Sequence, residues 1–72
     1  AVSTSELYTT ASGNTWQLIT TTSQSDDFND SIDAYRTEDT ILYGIHIGYP
    51  PSLKENAQAE LKKILENGIS QN

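Results

Sequence analysis

The last third of the chain has the apolar spacing of an amphipathic helix. Between residues 52 and 67, apolar side chains recur three or four positions apart, which places them on one side of a helix. Ser52 and Glu55 match an S-x-x-E capping box, and Gly68 stands where a left-handed C-cap belongs. The buried stripe of this predicted helix consists of Leu53, Ala57, Leu61, Ile64 and Leu65.

Large apolar residues occupy every second position in the segment before this helix. In residues 40–49, isoleucine and tyrosine occupy every second position, with smaller residues and the single histidine, His46, among the others. Such alternation predicts a β-strand with one apolar face. Pro50 and Pro51 end the strand, because proline cannot donate a ladder hydrogen bond. We interpret this segment as the central strand of a sheet.

Two segments rich in β-branched and aromatic residues lie near the start of the chain. Residues 6–11 and 15–23 flank a turn containing Gly13, which predicts a β-hairpin. A two-residue turn places Trp16, Leu18 and Leu7 on the core face, and Tyr8 and Ile19 on the opposite face. Residues 1–5 are expected to form a flexible N-terminal tail.

Residues 25–35 carry a third kind of spacing. Phe28, Ile32 and Tyr35 stand at positions i, i+4 and i+7, which predicts a short helix with Ser25 as its N-cap. The many Asp, Asn and Ser residues oppose this interpretation, because they favour caps and turns. The expected fold is one α+β domain over residues 1–72. Its order is β-β-α-β-α, with a three-stranded sheet and the C-terminal helix packed on one face.

Charge and composition restrict the function classes. The 72 residues carry a formal net charge of −6 and no cysteine, and the excess of carboxylates lies in residues 1–39. This charge argues against binding to nucleic acid or to anionic lipid. No apolar run is long enough to span a membrane. The small polar residues at the start and the Ser/Thr-rich composition favour an extracytoplasmic or secreted protein.

Catalytic and metal-binding motifs are weak in this sequence. A lone histidine, no cysteine and no phosphate-binding glycine loop predict a non-enzyme without a cofactor. We interpret His46 as a partly buried strand histidine, with a pH-sensitive contact as the alternative. One acidic stretch has partial calcium-loop spacing, with Ile32 in place of the turn glycine, so we expect no metal site. The candidate calcium ligands to test are Asp27, Asn29, Asp33 and Glu38.

Binding is the remaining function class. Tyrosine is frequent at binding surfaces, and clustered carboxylates can attract a basic partner. The candidate binding residues are Tyr8, Tyr35, Tyr49, Asp26, Asp30 and Asp33. We expect a small, exported, non-catalytic binding protein that acts through a sheet edge or a Tyr/Thr-rich surface, within an oligomer or complex. Its partner is a protein, a second copy or a glycan. The alternative is an acidic inhibitor or immunity-type protein that blocks a basic nuclease or toxin.

Overall fold

Four antiparallel strands form one sheet, and a single helix packs across one of its faces. The computed structural model describes residues 2–23 and 29–67. The strands lie side by side in sequence order, so that β1 and β4 are the edges of the sheet. The elements are β1 (Val2–Thr9), β2 (Thr15–Thr22), β3 (Asp30–Glu38), β4 (Ile41–Tyr49), a 3-10 turn (Pro51–Leu53) and α1 (Lys54–Asn67).

The core lies between α1 and the sheet. The helix contributes Ala57, Leu61 and Leu65, which are buried as the apolar stripe predicts. The prediction is wrong for Leu53, which lies in the 3-10 turn before α1 and is half exposed. The sheet contributes alternate residues of its strands, and we call this side the helix-covered face. Its buried apolar side chains are Trp16, Leu18, Ile32, Ala34 and Tyr49.

The predicted order β-β-α-β-α is wrong, because the segment interpreted as a helix contains a strand. Residues 30–38 form β3, and residues 24–28 lie outside the described part of the chain. Ile32 and Ala34 are buried, whereas Asp33 and Tyr35 point to the opposite face, so the period is 2 rather than 3.6. A strand here also suits the low helix propensity of Asp, Asn and Ser.

This extra strand moves β4 from the centre of the sheet to its edge. β3 pairs with β2 on one side and with β4 on the other. The alternation predicted for β4 is present, and Tyr43, Ile45 and Ile47 pack against the core. The prediction of a central strand is wrong because β3 occupies that place.

The first hairpin forms, but its register differs from the predicted one. Thr9 pairs with Thr15 across a loop of residues 10–14, where Gly13 has a φ of +94°. Tyr8 is therefore opposite Trp16, a shift of three residues from the predicted pairing. An odd shift exchanges the two faces of a strand. Tyr8 consequently faces the core and Leu7 does not.

The ends of two elements also differ from the predictions. Residues 2–5, expected in a flexible tail, belong to β1 and pair with β2. Ser52 lies inside the 3-10 turn, whose N-cap is Pro50 without a side-chain hydrogen bond, so the capping box is absent. Gly68 lies outside the described residues. In the described ranges, no helix combines the length and apolar character needed to cross a membrane.

The difference in burial between Leu61 on α1 and Leu53 in the 3-10 turn predicts unequal effects of truncating them. Leu61 is 1% exposed and Leu53 is 47% exposed. We expect Leu61→Ala to lower the free energy of unfolding by about 2–5 kcal/mol, because it leaves a cavity against the sheet. The matched variant Leu53→Ala lowers it by less than about 1 kcal/mol. Denaturant titration followed by the fluorescence of Trp16 measures both, and equal losses would contradict this packing.

Candidate functional site

The side of the sheet opposite α1 is uncovered by any described element. We call it the open face, since the buried side chains of the strands all point to the other side. Each strand contributes alternate residues, and their order follows from the pairing registers. The open face consists of Ser3, Ser5, Leu7, Thr9, Thr15, Gln17, Ile19, Thr21, Ser31, Asp33, Tyr35, Thr37, Leu42, Gly44, His46 and Gly48.

Hydroxyl and amide groups on this face are bound to one another across β1 and β2. The hydroxyls of Thr9 and Thr15 are 2.9 Å apart, and the Gln17 side-chain amide donates to Ser5 Oγ at 3.1 Å. These hydrogen bonds hold the polar side chains in fixed positions. A partner would therefore meet a surface whose polar groups are already ordered.

Asp33 is the sole carboxylate among the open-face residues, and it is paired. It lies directly opposite His46 in the β3–β4 register. Its Oδ1 is 2.6 Å from His46 Nδ1, and the histidine side chain is 64% exposed, so the interpretation of His46 as a partly buried residue is wrong. The open face thus carries a single carboxylate among its sixteen residues, in a chain whose formal charge is −6.

Exposed apolar side chains surround a shallow depression near one end of the open face. Leu7 is 74% exposed, Leu42 is 65% exposed and Tyr35 is 39% exposed. The ring of Tyr35 lies over Gly44, where a Cβ atom would be 3.4 Å from its Cε1. The depression has a volume of about 340 Å³ and is lined by Leu7, Thr15, Gln17, Tyr35, Arg36, Thr37 and Leu42.

The guanidinium of Arg36 belongs to the other side of the sheet. Its Cζ is 5.5 Å from the ring centre of Trp16 and 5.1 Å from that of Tyr43. Both rings lie on the helix-covered face, where the group also forms a 2.9 Å ion pair with Glu38. The cation is thus held by aromatic rings and a carboxylate, and it does not charge the open face.

The six predicted binding residues do not share one surface. Tyr35 and Asp33 lie on the open face. Tyr49 and Asp30 are buried on the helix-covered face, where Asp30 Oδ1 accepts a 2.9 Å hydrogen bond from the backbone N–H of Ser23. Burial, and then the nearby charge of Asp30, raises the pKa of the Tyr49 hydroxyl. Tyr8 is half-buried on that same face, and Asp26 lies outside the described residues.

The candidate calcium ligands are separated by the strand that carries them. Asp33 and Glu38 lie on opposite faces of β3 and are roughly 17 Å apart along it, at about 3.4 Å per residue. Asn29 is exposed just before this strand, and Asp27 lies outside the described residues. Residues 2–23 and 29–67 contain no group of three or more side chains placed to hold a metal ion.

Sequence reasoning placed Leu7 in the core and did not name Leu42 as a binding residue. The alternation with Tyr43 in β4 does put Leu42 on the face away from the core. The position of Leu7 could not be predicted in this way, because its face depends on the conformation of the loop before β2. The open face mixes apolar and polar residues, so its sequence pattern does not mark it as a binding surface.

Tyr8 has a structural partner on the helix. Its hydroxyl donates a hydrogen bond to Glu66, whose other carboxylate oxygen accepts the Ala11 N–H at 3.0 Å. Both hydrogen bonds lower the pKa of Glu66 below its ordinary value of 4.5, and the bond from Tyr8 has the larger effect. The bond to Glu66, with burial and the charge of Glu66, raises the pKa of Tyr8 above 10.0. This contact ties the end of α1 to the first hairpin.

The chain matches no protein-family model, no curated protein and no solved structure. Its function must therefore be inferred from the geometry and charge of the open face.

The contact between Tyr8 and Glu66 predicts a pH window of stability. Because the pKa of Glu66 is lowered in the folded state, its contribution is present above pH 4.5 and is lost as the pH falls through the folded pKa. The pKa of Tyr8 is raised in the folded state, so its contribution to stability is present below pH 10.0 and is lost as the pH rises through the folded pKa. The stability difference between the native chain and Glu66→Gln should be largest between these limits. Denaturant titrations across pH measure it.

The matched control is Glu60→Gln, which removes the same charge from an exposed position on α1. We expect its stability difference from the native chain to vary less with pH. Equal pH profiles for the two variants would mean that the contact does not stabilise the fold.

Proposed function

We propose that this chain is a small non-catalytic binding protein that holds a partner protein on its open face. The observation that carries the proposal is the low charge of an uncovered surface in an acidic chain. Depletion of charged residues and enrichment of tyrosine distinguish the centre of a protein interface from other surface. Here the sole carboxylate is paired with a histidine, and Tyr35 and two leucines are exposed.

The depression offers this surface an anchor site for a partner. Leu7, Tyr35 and Leu42 offer apolar area to one inserted side chain, and hydroxyl groups surround them. The hydrogen bonds among the polar side chains, such as Thr9 with Thr15, lower the cost of ordering them on binding. The partner should therefore present an aliphatic or aromatic side chain on a surface of low charge.

A protein fits this face better than a glycan does. The exposed apolar area comes largely from aliphatic leucines, which suit an apolar side chain. The polar groups that could bind sugar hydroxyls are already engaged, since Gln17 donates to Ser5 and Asp33 contacts His46.

The acidic-inhibitor alternative has less support. It requires the carboxylates of residues 26–39 to form one surface for a basic partner. Asp30 is buried, Asp33 lies on the open face and Glu38 is paired with Arg36 on the other side. No observation on the described residues favours this alternative. An extracytoplasmic location stays a prediction from composition.

A displayed library of random peptides tests the proposal without a known partner. Peptides selected on the native chain are measured against it by fluorescence anisotropy. We expect them to carry apolar anchors and few charges. Leu7→Ser and Tyr35→Thr should each weaken their binding by about tenfold or more, because each removes part of the anchor site.

The control is Leu53→Ser, which alters an exposed leucine on the other side of the molecule. It should leave the affinity of the selected peptides unchanged. The proposal fails if no peptide is enriched, or if Leu53→Ser weakens binding more than the two open-face variants do. Enrichment of lysine- and arginine-rich peptides would favour the acidic-inhibitor alternative instead.

A further inference from the structure

The outer side of β4 is an unpaired sheet edge in the part of the chain that the structure describes. β4 pairs with β3 on its inner side alone. Its residues, Ile41–Tyr49, include no proline, lysine or acidic residue. Charged residues, prolines and bulges are the usual devices that keep an edge strand from pairing with another chain. A nine-residue edge without them is suited to accept a strand.

The sequence of β4 is self-complementary about Ile45. If two copies align antiparallel with Ile45 opposite Ile45, each pair of facing residues lies on one face of the joined sheet. On the helix-covered side this register pairs Ile41 with Tyr49 and Tyr43 with Ile47, and such aromatic and β-branched pairs stabilise sheets. On the open face it pairs Leu42 with Gly48 and Gly44 with His46.

The glycines fit this register by size. On the open face, each larger side chain of β4 meets a glycine of the other copy, Leu42 with Gly48 and His46 with Gly44. Moving the centre of symmetry from Ile45 to His46 would put the two histidines opposite each other. Moving it to Gly44 would oppose two glycines and leave Leu42 facing His46. Of these three registers, the one centred on Ile45 pairs each larger open-face residue of β4 with a glycine.

Charge also favours a second copy at this edge. Two chains with a net charge of −6 repel each other, yet β4 has no formal charge at neutral pH. The acidic turn beside it, Glu38 and Asp39, lies at one end of the strand. In the antiparallel arrangement the two turns lie at opposite ends of the shared edge, roughly 27 Å apart or more, at about 3.4 Å per residue. That exceeds the screening length of about 8 Å at physiological salt.

We infer that the chain forms a symmetric dimer in which β4 of one copy pairs antiparallel with β4 of a second copy, centred on Ile45. The sheet then continues through both copies. The two helices lie on one side and the two open faces on the other. This dimer does not depend on the proposed partner binding, since it uses backbone groups at the edge.

The dimer is tested with a substitution that fits the monomer and not the pair. A Cβ at Gly48 would lie 3.9 Å from its nearest backbone atom, which is ordinary contact, so Gly48→Val should fold. The valine would collide with Leu42 of the other copy. Sedimentation equilibrium from about 1 to 500 µM should show native dimers. In the Gly48→Val variant we expect the dissociation constant to rise by about tenfold or more.

A second substitution should rescue the first. Adding Leu42→Ala to Gly48→Val makes room across the interface, and we expect the dissociation constant to return to within about threefold of the native value. Ser3→Val is the matched control, because it adds a valine to the open face at the other edge. It should leave dimerisation unchanged.

Three results would overturn the inference. One is a native chain that stays monomeric throughout the concentration range. Another is a Gly48→Val variant that dimerises as well as the native chain. The third is a dimer weakened by Ser3→Val or Leu7→Ser rather than by Gly48→Val, which would place the interface at β1 or on the open face.

Discussion

A single helix can cover only one face of a four-stranded sheet, and this limit determines the rest of the molecule. α1 buries Leu61 and Leu65 against the strands, and no element within residues 2–23 and 29–67 covers the opposite face. A helix is about 10 Å wide, whereas four strands spaced about 4.8 Å apart span roughly 15 Å. Even the helix-covered face therefore has open margins, where Val2 on β1 and Ile41 on β4 remain about half exposed. Four of the six exposed large apolar side chains among the described residues lie on the open face or along β4, namely Leu7, Tyr35, Ile41 and Leu42.

The charged residues also differ between the helix-covered side and the open face. Two carboxylates on the helix-covered side have local partners, since Glu66 binds Tyr8 and Ala11, and Glu38 binds Arg36. The open face keeps one paired carboxylate and a surface of hydroxyls, leucines and a tyrosine. Self-repulsion from the net charge of −6 therefore acts least at the open face and the β4 edge. Both proposals place an intermolecular contact where the electrostatic cost of approach is low.

Hydrophobic periodicity predicted the two elements whose pattern fits only one type of secondary structure. The alternation in β4 and the stripe on α1 exclude other interpretations, and both elements are present. The segment containing β3 was ambiguous, because Ile32 and Tyr35 suit a helical spacing while Ile32 and Ala34 suit a strand. Its neighbours on both sides decide the outcome, and a local pattern does not reveal them. Of the candidate binding residues, Tyr35 lies where a partner could reach it.

The hairpin shows a different limit of sequence reasoning. Residues that favour a turn were visible at Gly13, yet the loop length sets the register, and an odd shift reverses the face of every β1 residue. Leu7 and Tyr8 therefore exchanged their predicted environments. Loop conformation depends on hydrogen bonds such as that from Gly13 N–H to the Thr10 carbonyl at 2.9 Å, which composition alone does not specify.

The most direct measurement is the accessibility of leucine methyl groups to a soluble paramagnetic agent, read by NMR. We expect strong broadening of the Leu7 methyl signals, because Leu7 is 74% exposed, and protection of those of Leu18, Leu61 and Leu65, which are buried. Protection of Leu7 together with broadening of Leu18 would mean that the helix packs on the other face of the sheet. That result would contradict the fold and remove the open face on which the proposed function depends.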